Sequence, residues 1–425
     1  MTTRSGVLRG LDYGSPLVKY RGEKVLKLVQ LLTQPPGSAG IDPVLAIDTY
    51  YALYLPAPLV DESSGNELSK LVVKAIISSE TGQRLRAKTV LDNLMSTIAS
   101  VLYLVKLQER SSQTRAENGP KHSLGALAET AEQTISDVLS EVEDVSRVRL
   151  ALEGFEPGTV SVFTLEDYSL ELLRLAREAD VKAILDVVMG IRDWRAFSAR
   201  NYRRFKRGEK LGYEHGADIE RMSPRNLLYG EDVFYTRLAE GRLLLYSKVL
   251  KESAGPLYVL LDKSGSMEGE KMTWAKAVAL AVYIKAIRAR REFCVRFFDS
   301  QPYNLMRVSK NPKSSEAIRV FEYLARVKSA GGTDITRALL TALADIEQNH
   351  LTGSSVVLIT DGIDRVSGHP IKQALKKTRS FLVTVMVKGD NTSLAELSTE
   401  YLKVVKLDRE EILKVVKALD KLKVV

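Results

Sequence analysis

The sequence predicts a multidomain protein, an all-α region followed by a doubly wound α/β domain with a mostly parallel sheet. Three observations carry this reading. Up to about residue 205, apolar residues recur at helical spacing. From residue 257 onward, short apolar runs alternate with helix-compatible segments. Two of those runs, Val356-Val-Leu-Ile359 and Phe381-Leu-Val-Thr-Val-Met386, are almost continuously apolar, as strands covered on both faces are. The expected organisation is a helical domain over 1–205, a connector over 206–255 and an α/β domain over 256–425.

The helical region reads as follows. A helix is expected from about Tyr20 to Leu32, broken by Pro35-Pro36-Gly37. Pro43 opens the next, through about Leu55. From Asn66 to Leu107 the apolar stripe includes Leu68, Leu71, Val72, Ala75 and Ile76, then Leu91, Leu94, Ile98, Leu102 and Val105, with Thr81-Gly82 as a place to split it. Residues 110–121 read as a polar loop, Gly125 to Leu152 as an amphipathic helix or pair with an acidic outer face. Helices over Leu165–Arg177 and Val181–Phe205 complete the region, which shows no fixed repeat. In the connector, glycines at 208, 212 and 216 loosen the chain. Ser223-Pro224 can start a short helix, and Leu243-Leu-Leu-Tyr246 is strand-like.

In the α/β domain the expected strands are 257–262, 292–299, 304–308, 355–360, 380–387 and 402–407. The expected helices are 270–289, 314–327, 335–349, 370–377, 392–399 and 409–421.

The chain of 425 residues, 45% hydrophobic and 27% charged, has the composition of an ordinary globular protein. No run approaches the roughly 18 apolar residues of a membrane span. The first residues hold no apolar signal core, so export is not expected and a cytoplasmic location is. Cys294 is the only cysteine. It excludes an intramolecular disulfide and a thiolate zinc site, and it reads as a buried small hydrophobe. The net charge of +9 is uneven. Residues 1–250 balance 33 Lys/Arg against 33 Asp/Glu, whereas 251–425 carry 29 against 20, the whole excess. Most of these cations read as solvated faces and helix ends, with Arg288, Arg290 and Arg291 closing a helix where cations suit the macrodipole. A run from Arg192 to Lys210 interleaves basic residues with Trp194, Phe197, Tyr202 and Phe205, a pattern compatible with single-stranded nucleic acid but commoner at a helix end.

Three loops of the α/β domain supply oxygen donors. They are Asp262-Lys-Ser264-Gly-Ser266, Gly331-Gly332-Thr333-Asp334 and Thr360-Asp361-Gly362. Asp262 and Asp361 each end an apolar strand, where doubly wound folds place ligands. Carboxylate and hydroxyl oxygens are hard ligands that suit Mg²⁺, Mn²⁺ or Ca²⁺ rather than zinc or copper. Two carboxylates with hydroxyls and waters leave a coordination position for an acidic group from elsewhere. Lys263 brings a charge near the ion, which either weakens metal affinity or favours an acidic partner. Other chemistries find less support. Gly265 to Thr273 lacks the Gly-Lys-Ser/Thr spacing of a phosphate loop. His122, His215, His350 and His369 show no ligand or triad spacing, and no base can be nominated for Ser264 or Ser266. Asp299 and Asp364 read as surface carboxylates or caps, Trp274 as core.

Asp-x-Ser-x-Ser, then Gly-Gly-Thr, then Thr-Asp-Gly, in this order on an alternating β/α pattern, resembles the metal-ion-dependent adhesion site of von Willebrand factor A (VWA) domains. The resemblance covers 256–425. It implies a six-stranded Rossmann-like sheet with Mg²⁺ at its upper edge, ligated directly by Ser264, Ser266 and Thr333 and directly or through water by Asp262 and Asp361. The order of helical region, connector Phe234-Tyr-Thr-Arg-Leu-Ala-Glu-Gly and Asp-Lys-Ser-Gly-Ser-Met resembles the CoxE/ViaA-like group, intracellular partners of MoxR-type AAA+ ATPases. That resemblance implies a non-enzymatic, metal-dependent adaptor or co-chaperone that binds an acidic residue of a partner or client. The alternative is an RNA-binding protein like the Ro autoantigen, which also joins helices to such a domain. A metal-dependent hydrolase is the remaining reading.

Overall fold

A computed structural model describes residues 6–33, 41–64, 66–118, 124–153, 165–191, 202–251, 255–362 and 364–421. The chain divides into two compact units, residues 1–187 with 311–327, and 188–310 with 328–425.

The first unit is helical. Pro16–Leu32 begins with proline at its N-terminus, and Pro43–Tyr54 is capped by the Asp42 side chain, which accepts from the Val44 amide. Every residue from Leu45 to Leu53 in that second helix is buried, so it forms the centre of the unit. The long stripe over 66–107 is three helices, Glu67–Ser78, Glu80–Thr89 and Asn93–Asn118. The first break falls at Ser79 rather than at Thr81-Gly82. The Ser79 hydroxyl accepts from the Gly82 amide and caps the next helix, a local bond that outweighs the glycine's effect inside it. The expected polar loop over 110–121 is helical as far as Asn118, since a run of polar residues does not by itself end a helix. Leu124–Leu152, Ser169–Arg177 and Ala179–Met189 follow. The expected helix over Val181–Phe205 stops at Met189. Residues 192–201 lie outside the described residues, and with them most of the basic and aromatic run. Its remainder, from Tyr202, is strand rather than helix.

The helix Ser314–Arg326 belongs to this first unit although its sequence lies within the α/β segment. It buries Ala317, Ile318, Val320, Phe321 and Leu324 along one stripe.

The second unit holds two sheets among the described residues. The smaller is an antiparallel hairpin of β1 (Tyr202–Gly216) and β2 (Leu243–Lys251), which turns part of the expected connector into regular structure. Asn226, fully buried, pins its crossing segment. Its amide donates to the Leu244 carbonyl at 2.7 Å and accepts from the Leu244 amide at 3.0 Å. The larger sheet is the expected six-stranded, mostly parallel one. Its strands are β3 (Leu257–Asp262), β4 (Phe293–Phe298), β5 (Met306–Val308), β6 (Ser355–Thr360), β7 (Phe381–Val387) and β8 (Glu400–Val404), in the order β5-β4-β3-β6-β7-β8. Only β5 is antiparallel to its neighbour. Every residue of β3 and β6 is buried, as a parallel strand covered on both faces requires. From β3 the chain winds toward β4 on one side and returns to β6 on the other. The topological switch point therefore lies between β3 and β6.

The helix Glu270–Arg288 after β3 is buried on nearly every side from Met272 to Arg288. Trp274 is core, its Nε1 donating to the Asp408 carbonyl at 3.0 Å. Arg288 and Arg291, expected at a solvated helix end, are buried. Arg291 donates to the Gly255 carbonyl and sits 3.3 Å from the Ser355 hydroxyl, tying the starts of β3 and β6 together. Cys294 is buried, and burial pushes its thiol up to about 12.

Candidate metal centre

The parallel register of β3 and β6 pairs Leu261 with Ile359 and so brings Asp262 beside Thr360. Asp262 is fully buried. Its Oδ1 accepts from the Ser264 amide at 2.9 Å and its Oδ2 from the Thr360 hydroxyl at 2.5 Å. The same Thr360 hydroxyl accepts from the Gly362 amide at 2.9 Å and closes the turn after β6. Burial pushes the Asp262 carboxyl above the usual carboxylate range, against these hydrogen bonds.

Ser264 and Ser266 follow on an irregular turn, with their hydroxyls 3.2 Å apart. The Ser266 hydroxyl donates to Asp361 Oδ1 at 2.7 Å. Asp262, Ser264, Ser266 and Asp361 thus gather around one edge of the sheet.

Thr333 reaches the same edge from a third loop. Gly331 stands at φ +93°, a left-handed conformation that glycine adopts freely. The Ala330 amide donates to the Lys263 carbonyl at 2.7 Å and the Gly265 amide to the Gly331 carbonyl at 3.1 Å. These bonds lash the glycine loop to the serine loop. Beyond Thr333, Asp334 caps the helix Ile335–Gln348 by accepting from the Arg337 amide at 2.8 Å. The Thr333 methyl group packs on the Asp361-Gly362 turn, 3.0 Å from where a Cβ on Gly362 would stand.

The structure places all five sequence-nominated residues on three adjoining loops. The donors are two carboxylates and three hydroxyls, a set whose chemistry fits a hard divalent cation. Among the described residues no group of three or more His, Cys, Asp or Glu side chains is arranged to hold a metal; a cation at these loops would draw on hydroxyls as well as the two carboxylates. The buried Asp262 carboxyl is a further sign of fit, since a cation beside it favours the charged form that burial opposes.

Two cations border the site, and the sequence singled out only one. Lys263 is paired away. Its ammonium lies 3.1 Å from Asp299 Oδ2 and 4.4 Å from the centre of the Tyr303 ring. Burial opposes its charge, but bonds to Tyr303 and Asp299 hold the amine above its ordinary range. Asp299, expected as a surface carboxylate or a cap, is buried and caps its own turn; burial works against its charge. Bonds from the Tyr303 hydroxyl at 2.6 Å, the Gln301 amide at 2.8 Å and Lys263 hold its carboxyl below the usual range. Asp364 accepts from the Ile335 amide at 3.1 Å and braces the start of the helix after Thr333. The second cation is Lys271, whose ammonium lies 2.5 Å from Asp361 Oδ2 and 3.1 Å from the Ser266 carbonyl. Its signal in the sequence is a lysine in the first turn of a helix, where the macrodipole disfavours a cation.

Residues 200–387 match the family model described as a VWA domain containing CoxE-like protein. An uncharacterized protein of Methanocaldococcus jannaschii is 26% identical over 404 residues, spanning 88% of this chain and 90% of the relative. A second from the same organism is 25% identical over 306 residues, spanning 70% of this chain and 73% of its own length. Among solved structures, a von Willebrand factor type A protein from Catenulispora acidiphila matches with TM-score 0.34 at 18% identity. That match covers 40% of this chain and 43% of the other. Mussel byssus proximal thread matrix protein 1, solved with a zinc-occupied metal-ion-dependent adhesion motif, matches with TM-score 0.31 at 18% identity, covering 39% of this chain and 48% of its own.

Proposed function

Residues 200–387 carry a VWA domain of the CoxE-like kind, and from that premise we propose that the protein is a metal-dependent, non-enzymatic interaction module. The family supports a protein-interaction role. The finer reading rests on one observation, the convergence of Asp262, Ser264, Ser266, Thr333 and Asp361 at the carboxyl ends of β3 and β6. Mg²⁺, or Mn²⁺ or Ca²⁺ in its place, would be held there by those five side chains. Bound, it supplies a Lewis-acid position that can accept a carboxylate from another protein. The chain's own residues prepare that position. Thr360 and the Ser264 amide hold Asp262, and the Asp334 cap with the Lys263–Ala330 backbone bond holds Thr333. The partner is an acidic residue of a MoxR-type AAA+ ATPase or of its client, working with this protein as adaptor or co-chaperone in the cytoplasm. The class of partner rests on the resemblance of the domain order and connector to the CoxE/ViaA-like group. No described helix is long and apolar enough to cross a membrane.

Capture of the cognate ATPase by the full-length protein tests this. Wild type in Mg²⁺ retains the ATPase. Asp262→Ala, or wild type in EDTA, loses at least about tenfold, the equivalent of 1.4 kcal/mol. Equal recovery in all conditions rules out a metal-mediated contact.

A further inference from the structure

Asp361, like Asp262, has both carboxylate oxygens engaged by its own chain, but only Asp361 is engaged by a cation. Its side chain is 3% exposed, one oxygen accepts from the Ser266 hydroxyl, and the other is held by the Lys271 ammonium at 2.5 Å. The two neighbours differ in what they can do for a metal. A serine hydroxyl can turn its proton elsewhere and offer a lone pair. An ammonium has three donors and no lone pair, so it can never be a ligand. It contributes a unit positive charge within ion-pair distance of a carboxylate that the metal also needs.

The position of Lys271 sharpens the point. It lies in the first turn of the helix Glu270–Arg288, whose N-terminal end carries the positive pole of the macrodipole. A lysine there is disfavoured unless an anion answers it, and Asp361 is that anion. The Lys271 side chain is 27% exposed and is carried on four flexible carbons, so it has a route to solvent. Lys263, by contrast, is committed to Asp299 and Tyr303.

We propose that Lys271 is an intramolecular counter-cation of this site, competing with the divalent ion for Asp361 and swinging away when the metal binds. Metal occupancy is then set by an internal competitor as well as by the oxygens. This rests on the reading of Asp361 as a metal ligand.

The test uses the full-length chain as wild type, Lys271→Met, Lys271→Arg and Asp361→Asn. Mg²⁺ and Mn²⁺ affinities are measured by calorimetry, and thermal unfolding is followed in EDTA and in saturating Mg²⁺. Competition predicts that Lys271→Met binds either ion about tenfold more tightly than wild type, an effect of about 1.4 kcal/mol, while Lys271→Arg stays near wild type. It also predicts a crossover. Lys271→Met unfolds below wild type in EDTA, where Asp361 has lost its counter-ion, and at or above wild type in Mg²⁺. Unchanged or weaker affinity in Lys271→Met overturns the proposal, as does an equal fall in unfolding temperature with and without metal, which marks a structural tie. If wild type binds metal, Asp361→Asn does not and Lys271→Met equals wild type, the competition alone fails. If no variant binds metal, the metal reading fails with it.

Discussion

Asp299 shows how one residue holds two of the site's loops, one through its side chain and one through its backbone. Its carboxylate neutralises Lys263, and its carbonyl accepts from the Asp334 amide at 3.0 Å, at the start of the helix that follows Thr333. Asp299→Asn keeps the shape and removes the charge. It is expected to lower stability by about 1–3 kcal/mol near neutral pH, because Lys263 remains buried without its anion. The pH dependence has a definite sign. The Asp299 carboxyl is held low in the folded state, so its contribution is present above the ordinary carboxylate value of about 3.9 and fades as pH falls below it. The Lys263 amine is held high, so its contribution is present below about 10.4 and fades as pH rises above it. The stability gap between wild type and Asp299→Asn, read by urea denaturation, is therefore widest between about pH 5 and 10, and narrows as pH falls below about 3.9 or rises above about 10.4. A gap that does not narrow below about pH 3.9 contradicts this account.

The glycine loop is the element on which Thr333 depends. Two constraints meet at Gly331. Its φ of +93° is one that an L side chain rarely adopts, and a Cβ there would stand 2.9 Å from Asp299 Oδ2. Gly331→Ala should cost about 1–3 kcal/mol of stability. Its sharper effect should be on the site. A shift of the loop that relieves the clash also moves Thr333, two residues on, so Mg²⁺ affinity in calorimetry should fall about tenfold, or 1.4 kcal/mol. A full-affinity Gly331→Ala protein would show that Thr333 is not needed at the ion. Elements of this kind explain what was legible beforehand. The spans of β3 and β6 agree with expectation to the residue, since a parallel strand covered on both faces shows as a nearly continuous apolar run with polar residues at its ends. Lys271 and Asp299 were not read as parts of the site. Their partners lie far away in the chain, and charge type alone does not say which carboxylate a lysine will meet.

At the scale of the molecule the unexpected feature is the membership of Ser314–Arg326 in the helical unit. Ile318, Phe321 and Leu324 are buried, and side chains of this size contribute about 1.5–3 kcal/mol each when fully buried. A chain of residues 1–187 alone lacks them. It is expected to bind a hydrophobic dye such as ANS and to unfold with low cooperativity, whereas the same chain extended by residues 311–327 through a flexible linker should bind less dye and unfold more sharply. Identical dye binding and melting by the two would show that the helix adds nothing to that unit.

The amino-acid order by itself determined the alternation of strands and helices from residue 257 onward and the five oxygen-bearing residues, because periodicity and strand ends are local properties. Tertiary structure alone decided three things: which lysine faces the site, which carboxylates are buried, and which unit claims the helix at 314–326. Each depends on residues tens of positions apart meeting in space. Lys271 reaches Asp361 across 90 residues, while Lys263, next to Asp262 in the chain, is turned away by Asp299. Hydropathy and spacing carry no record of such encounters; only the packing of β3 against β6 and of the loops above them creates them.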